Sequence, residues 1–265
     1  MKRLIIAAAV AWGLVVVGLA YYSFRTDRPT DRDQTTIAQA LPTVDAALAE
    51  VATALDPAAS VAVLGGYNRV GRSCSVTAAR EGGRYERVLI AYTKEGTEPQ
   101  LLDRVAAGLP KRYGPSVKHR AQLHSLSADA GNFVEVRGAT FGPGRVRFIA
   151  DTGCRPQDAP VTDATPASDT ANRAPVQAVL DTLKLSAQKW RTYRATCSSG
   201  GALWTVEAVA APPPGSLVDA LGASVPATPV LLAGPQLYAY RNGPAGVVAR
   251  SDDGALTVTS TTGCG

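Results

Sequence analysis

Four cysteines are the residues of this sequence whose chemistry is easiest to define: Cys74, Cys154, Cys197 and Cys264. The nearest two, Cys154 and Cys197, are 43 residues apart. Structural zinc sites usually take cysteines in closely spaced pairs, and redox-active cysteines usually form Cys-x-x-Cys, so neither chemistry is favoured. An even number of cysteines in an exported chain predicts two disulfides, although the count alone allows three pairings.

Five arginines form a second candidate site, an anion-binding face: Arg84, Arg87, Arg137, Arg145 and Arg147. Residues 60–155 carry 15 Lys and Arg against 8 Asp and Glu, whereas residues 156–265 carry 7 against 8. The five arginines occupy the polar phase of predicted strands or a turn, so several should share one sheet face. The alternative is a merely solvated face, since the chain as a whole prefers arginine to lysine.

The partners that fit such a basic face are an envelope polymer, an anionic lipid or an acidic protein. Nucleic acid is not favoured, because aromatic residues make up only 6% of the chain and offer no stacking platform. No feature of the sequence selects an oligomeric state.

Catalytic motifs find little support. His119 and His124 have no carboxylate nearby in the sequence, which speaks against a metal pair or a histidine triad. Ser186-Ala-Gln-Lys189 matches Ser-x-x-Lys but lacks its companion motifs. Asp151-Thr-Gly resembles the aspartic protease tripeptide, yet the corresponding position near the C-terminus is Thr261, and that chemistry needs two carboxylates. We therefore expect no enzyme activity, no metal and no cofactor.

The elements that must position these residues occur twice along the chain. Residues 72–92 and 195–209 both read as a hairpin with a Gly-Gly turn that begins near a cysteine, and both copies end in Thr-Gly-Cys, at Cys154 and Cys264. Apolar stripes at helical spacing precede the hairpins, at 44–55 and 176–183, and follow them, at 102–109 and 217–221. Strands in which apolar and polar residues alternate, over 134–150 and 256–259, complete the two copies.

The repeat predicts an α+β fold of two similar units, each an antiparallel sheet with one or two helices and one internal disulfide. It selects the pairings Cys74–Cys154 and Cys197–Cys264, which close each unit on itself. The predicted order is a membrane segment (1–25), a linker (26–36), the first unit (37–154), a linker rich in Pro, Ala and Thr (155–174) and the second unit (175–265). The second linker would let the units move or let them dock as a pair.

The run Leu4–Tyr22 contains no charged residue and follows Lys2 and Arg3. Nineteen helical residues extend about 28 Å, close to the thickness of a bilayer core. The positive flank predicts a single-pass anchor with the remaining chain outside the cytoplasm. The alternative is a signal peptide cleaved after Ala20, which would give a secreted protein.

The composition, 46% hydrophobic and 18% charged, is that of a chain that buries a core. Abundant Ala and Arg with few Lys indicate a bacterial source. The sequence favours a noncatalytic binding or interaction module anchored at the bacterial cell envelope. The alternatives are a sensory or regulatory ectodomain that acts through a membrane partner and, less favoured, a secreted enzyme.

Overall fold

The computed structural model describes residues 2–26, 35–77, 80–121, 123–163, 170–225, 229–252 and 254–264. The chain forms two compact units, Met1–Gln34 and Thr35–Gly265. The first contains helix α1 (Lys2–Thr26), which includes the predicted apolar run. Among the residues described, no helix reaches the combined length and hydropathy that a membrane crossing requires. The membrane span therefore stays a prediction.

The second unit contains two repeats of one topology. The first repeat runs α2 (Ile37–Ala54), β1 (Ser60–Arg69), β2 (Cys74–Thr77), β3 (Arg80–Gly82), β4 (Tyr85–Thr93), α3 (Glu98–Gly108), a 3₁₀ turn (Lys111–Tyr113), β5 (Ser116–Arg120), β6 (Leu123–Asp129), β7 (Glu135–Gly142) and β8 (Arg145–Asp151). The second runs α4 (Thr170–Leu183), β9 (Ala187–Thr196), β10 (Ala202–Ala210), α5 (Leu217–Gly222), β11 (Val230–Ala233), β12 (Leu237–Asn242), β13 (Ala245–Asp252) and β14 (Ala255–Thr262).

Each repeat folds into a six-stranded antiparallel sheet, and the strand orders correspond. The first sheet is ordered β1-β4-β8-β7-β6-β5, and the second is ordered β9-β10-β14-β13-β12-β11. The strands β2 and β3 pair separately as a small hairpin. The α+β class and the two antiparallel sheets predicted from the sequence are confirmed. The hairpin predicted over residues 72–92 is wrong, because β2 pairs with β3 and β4 pairs with β1 and β8.

Both predicted disulfides are present. Cys74 is bonded to Cys154 and Cys197 to Cys264, so each repeat is closed on itself. The bonds close loops of 80 and 67 residues. In the chain-entropy account, loops of this length raise the free energy of unfolding by about 4 kcal/mol per bond.

The leading helices begin earlier than their prolines suggest. The sequence predicts that α2 begins behind Pro42 and α4 at Pro175, but each proline is the sixth residue of its helix. At the start of α2, Thr36 accepts a hydrogen bond from the backbone of Gln39, and the Gln39 side chain accepts one from the Thr36 backbone. This capping box satisfies the first helical N–H groups and fixes the start ahead of the proline.

The two repeats are docked through their sheets. Helices α2 and α3 cover one face of the first sheet, and α4 and α5 cover one face of the second. Between the sheets, Val61 and Tyr92 of β1 and β4 pack on Ala239 and Val248 of β12 and β13. In the part of the chain that the structure describes, the second sheet packs mainly on β1 and β4 of the first, and the face of strands β5–β8 that points away from the helices is largely open.

Arg155, the first residue of the predicted linker, is completely buried inside the fold. Its guanidinium donates hydrogen bonds to the carbonyl oxygens of Thr152, Thr35 and Asn132 and to the Thr35 hydroxyl, and its backbone pairs with Gly83. None of the described carboxylates pairs with it, and burial lowers its pKa. This cluster, which we name the Arg155 knot, fixes the chain just before α2.

The structure contradicts the prediction that Arg87 belongs to the anion-binding face. It lies opposite Ala150 in the β4–β8 register and two residues before Leu89. These side chains point to the same side of the sheet, so Arg87 points toward the helices. Its side chain is 2% exposed. Tyr85, Leu89 and Ala91 share its parity in β4 and are also buried, so Arg87 lies on the face of this strand that packs against the helices.

The buried Arg87 guanidinium joins both repeats. It donates to the Asp45 carboxylate of α2 at 2.6 Å, to the Gly65 carbonyl of β1 at 2.9 Å and to the Arg194 carbonyl of β9 at 2.8 Å. It also lies 3.8 Å from the Asp163 carboxylate and 4.6 Å from the centre of the Tyr67 ring. The Tyr67 hydroxyl donates to Asp45. We name these residues the Arg87 network.

We expect Arg87→Met to lower the free energy of unfolding by about 3–5 kcal/mol, because it leaves the Asp45 carboxylate in the fold without its cation. The matched control is Arg104→Met, which breaks the exposed Arg104–Asp56 pair and should cost less than about 1 kcal/mol. Urea unfolding of both variants of the full chain measures the difference. Equal losses would show that the Arg87 network does not hold the repeats together.

The Tyr67 hydroxyl predicts a loss of stability at high pH. Burial, reinforced by the Asp45 carboxylate, raises the pKa of Tyr67 above its ordinary value of about 10. Above pH 10 the unfolded chain therefore loses a proton that the folded chain retains, and stability falls by up to about 1.4 kcal/mol per pH unit. Urea midpoints between pH 9 and 10.8 should fall less steeply for Tyr67→Phe than for the wild type. The other tyrosines are the same in both proteins, so a difference between the two slopes comes from Tyr67. Identical slopes would contradict the assignment.

Candidate functional site

The open face of strands β5–β8 forms a concave surface with a volume of about 430 Å³. The antiparallel register brings its residues together: Ser116 lies opposite Ser127, Ser127 opposite Arg137, and Arg137 opposite Ile149. Directly paired residues point to the same side of a sheet. We name this surface the basic cleft; the lining residues used below are Ser116, Lys118, Ser125, Ser127, Glu135, Arg137, Phe141, Arg147 and Ile149.

Two cations of the basic cleft are unneutralised. Within the described ranges, no carboxylate forms an ion pair with Lys118 or Arg147. Glu135 is the carboxylate among the lining residues, and it lies 3.6 Å from Arg137. Lys118 and Arg147 therefore provide net positive charge at opposite sides of the cleft, on β5 and β8.

Arg137 is held in place at the edge of the cleft by an ion pair with Asp151. Its guanidinium lies 3.2 Å from the Asp151 carboxylate, which is 3% exposed and also accepts two hydrogen bonds from Arg84 Nε at 2.9 and 2.8 Å. The hydrogen bond to Asp151 raises the pKa of Arg84. Two arginines thus share one buried carboxylate, which holds the Arg137 side chain in place.

Phe141 orders the arginines of β8. A register shift between Thr140 and Gly142 changes the pairing of β7 at this point. The guanidinium carbons of Arg145 and Arg147 lie 5.0 and 4.8 Å from the centre of the Phe141 ring. Cation–π contacts of this kind restrict the side chains without neutralising their charge. Arg147 is consequently oriented and still able to bind an anion.

The structure brings four of the five predicted arginines to one face. Arg84, Arg137, Arg145 and Arg147 share the open side of the first sheet, whereas Arg87 lies on the opposite side. Arg137 and Arg147 line the basic cleft, and Arg84 supports it through Asp151. The Nε atom of Arg145 is buried and has no hydrogen-bond acceptor among the described residues.

Several cleft residues were missed in the sequence. Lys118, Ser116, Ser125 and Ser127 lie on β5 and β6, two strands that were not predicted from the sequence. The available signal was the alternation of Ser116 and Lys118 with Val117, and of Ser125 and Ser127 with Leu126. Short strands with a polar face and a half-buried opposite face give this weak pattern, which resembles that of an exposed loop.

The second repeat does not reproduce the cleft. Arg147 and Thr257 each lie seven residues before the final cysteine of their repeat. Val248, which lies opposite Thr259, corresponds in register to Arg137, which lies opposite Ile149. Val248 is buried against the first sheet. The equivalent face is therefore a docking surface in the second repeat and an open, basic surface in the first.

The structure contains no group of three or more His, Cys, Asp or Glu side chains that could hold a metal ion in the ranges described. A histidine pair lies on the other side of β5 and β6, where His119 Nδ1 is 2.8 Å from His124 Nδ1. The Asp103 carboxylate of α3 is 3.1 Å from His119 Nε2.

The basic cleft offers cations, hydroxyls and one aromatic ring, a set suited to binding an anion.

Comparison with known proteins identifies no family. No family model matches the sequence, and no curated protein is similar to it. The chain is similar to a crystal structure of a DUF4853 family protein from Actinomyces odontolyticus, at 13% identity and a TM-score of 0.38. The match covers 68% of this chain and 96% of the other.

Proposed function

We propose that this protein is a noncatalytic binding module that captures an anionic polymer of the cell envelope in the basic cleft. The observation that carries the proposal is the pair of unneutralised cations, Lys118 and Arg147, on an open surface of about 430 Å³.

The lining groups fit the chemistry of a carboxylated or phosphorylated saccharide. Arginine and lysine bind carboxylate and phosphate oxygens through charge-assisted hydrogen bonds. The hydroxyls of Ser116, Ser125 and Ser127 both donate and accept, as sugar hydroxyls do. Phe141 and Ile149 provide an apolar patch for the C–H face of a ring.

The arrangement of charges favours a chain over a single small anion. Lys118 lies on β5 and Arg147 on β8, with two strands between them. Strands are spaced about 4.8 Å apart, so the backbones that carry these cations are about 14 Å apart. A ligand with anionic groups repeated along its length can contact both cations at once, and an open sheet face does not block its ends.

The disulfides and the apolar N-terminal run support a location outside the cytoplasm. Both disulfides require an oxidising compartment. Trp12, Leu14 and Leu19 of α1 are 71%, 69% and 63% exposed, which is costly in water and favourable in a bilayer. We accordingly propose that residues 4–22 anchor the chain in the membrane.

The anchor is tested by extracting membranes with sodium carbonate. The full chain should remain in the membrane pellet, because the apolar helix is held by the hydrocarbon core and not by charge. A chain with Leu14→Glu and Val17→Glu should appear in the supernatant. Release of the unaltered chain by carbonate would contradict the anchor, and an N-terminus at Tyr21 in the released protein would identify cleavage.

The cleft is tested by reversing its two free cations. We expect Lys118→Glu with Arg147→Glu to weaken binding to poly(glycerol phosphate) or alginate at least about tenfold at low salt, through the loss of about 1.4 kcal/mol or more. The control, Arg104→Glu with Lys189→Glu, changes the net charge equally at exposed positions outside the cleft and should bind as the wild type does. Arg137 is left unchanged, because Arg137→Glu would place a second carboxylate beside buried Asp151.

The choice of probes separates the candidate partners. Vesicles containing phosphatidylglycerol represent an anionic lipid surface, and poly-L-glutamate represents an acidic protein. Binding to the polysaccharide and phosphodiester polymers should be strongest, and should weaken as salt is added. Stronger binding to vesicles or to polyglutamate, or equal losses in both double variants, would contradict the proposal.

A further inference from the structure

We propose that His119 and His124 form a binding site for a divalent transition-metal ion, separate from the basic cleft. The two histidines lie directly opposite each other in the β5–β6 register, and they face α3 on the side of the strands away from the cleft. The pair brings two ring nitrogens to 2.8 Å. Zn²⁺, Ni²⁺ and Cu²⁺ all bind well to imidazole nitrogen.

The hydrogen bond to Asp103 prepares His119 as a ligand. Its Nε2 lies 3.1 Å from the Asp103 carboxylate and donates a proton to it, so the lone pair of a neutral His119 is on Nδ1. That lone pair is directed at His124 Nδ1. A carboxylate on the outer nitrogen of a metal-binding histidine fixes the tautomer and makes the ring a stronger ligand.

The spacing of the nitrogens fits two neighbouring positions around one ion. Ligand nitrogens bound at 2.0–2.1 Å and at a right angle lie about 2.9 Å apart, close to the 2.8 Å between the Nδ1 atoms. The ring centres are 5.0 Å apart, and without a metal His124 Nδ1 donates a hydrogen bond to the lone pair of His119 Nδ1. When an ion binds, that proton moves to Nε2 of His124 through the solvent, and both rings turn toward the ion.

The surroundings allow the ion to enter. The side chains of His119 and Asp103 are 42% and 58% exposed. The described residues offer no third protein ligand, so water fills the remaining positions. By the Irving–Williams order, Cu²⁺ should bind more tightly than Ni²⁺ or Zn²⁺. The ion would join β5 to β6 at the edge of the first sheet.

The test is titration of the untagged full chain with NiCl₂ and CuCl₂ by calorimetry, with electron paramagnetic resonance of the copper-loaded protein. The chain contains only two histidines, so any imidazole signal identifies this pair. We expect one ion per chain and a spectrum with two nitrogen ligands. No binding at millimolar NiCl₂, or copper bound without nitrogen ligands, would overturn the proposal.

Variants separate the ligands from the positioning residue. His119→Gln and His124→Gln should each lower the affinity at least about tenfold, with unchanged circular dichroism because both positions are near the surface. Asp103→Asn should weaken binding about tenfold and keep two nitrogen ligands, as expected of a group that acts through His119. Asp219→Asn, on the equivalent helix α5, is the control and should have no effect. Metal binding that survives His119→Gln with His124→Gln would refute the site, and equal effects of Asp103→Asn and Asp219→Asn would refute the role of Asp103.

Discussion

A guanidinium taken out of water must have its lost hydration replaced by hydrogen bonds, and for Arg87 these come from three separate elements, one of them in the second repeat. Asp45 comes from the leading helix, the Gly65 carbonyl from the edge strand of the first sheet, and the Arg194 carbonyl from the second repeat. No single element can supply all three acceptors. The position of Arg87 therefore fixes which edge of the first sheet meets the second repeat.

The basic cleft is a consequence of that docking geometry. Because the second repeat covers β1 and β4, the far side of the same sheet face remains in contact with water. The repeats have corresponding strand orders, but only the first has polar and charged side chains at these positions. The same sheet face carries Val248 in one repeat and Arg137 in the other, so it forms a docking interface in one repeat and an open, basic surface in the other.

The parts of this structure that could be predicted from the sequence are those set by local spacing. The cysteine pairing follows from the repeated Thr-Gly-Cys ends, and α3 follows from an apolar stripe bounded by prolines. The predicted start of α2, behind Pro42, was wrong, because a proline is a stronger local signal than the capping box at Thr36. The face of Arg87 was also wrong, since its partners come from positions 42 and 107 residues away. The strands β5 and β6 were missed because they are short, and the alternation of Ser116 and Lys118 with Val117 is a weak signal without the packing of α3.

The Arg155 knot determines how the folded unit would respond to mechanical load. Any tension carried by the residues before Thr35 meets the hydrogen bonds from Arg155 before it reaches the first turn of α2. Arg155 follows Cys154, which is crosslinked to Cys74, so part of the load passes into a covalent loop of 80 residues. The helix is thereby shielded from peeling at its N-terminus. Thr35 and Arg155, which are far apart in the sequence, thus form one anchoring point beside the first turn of α2.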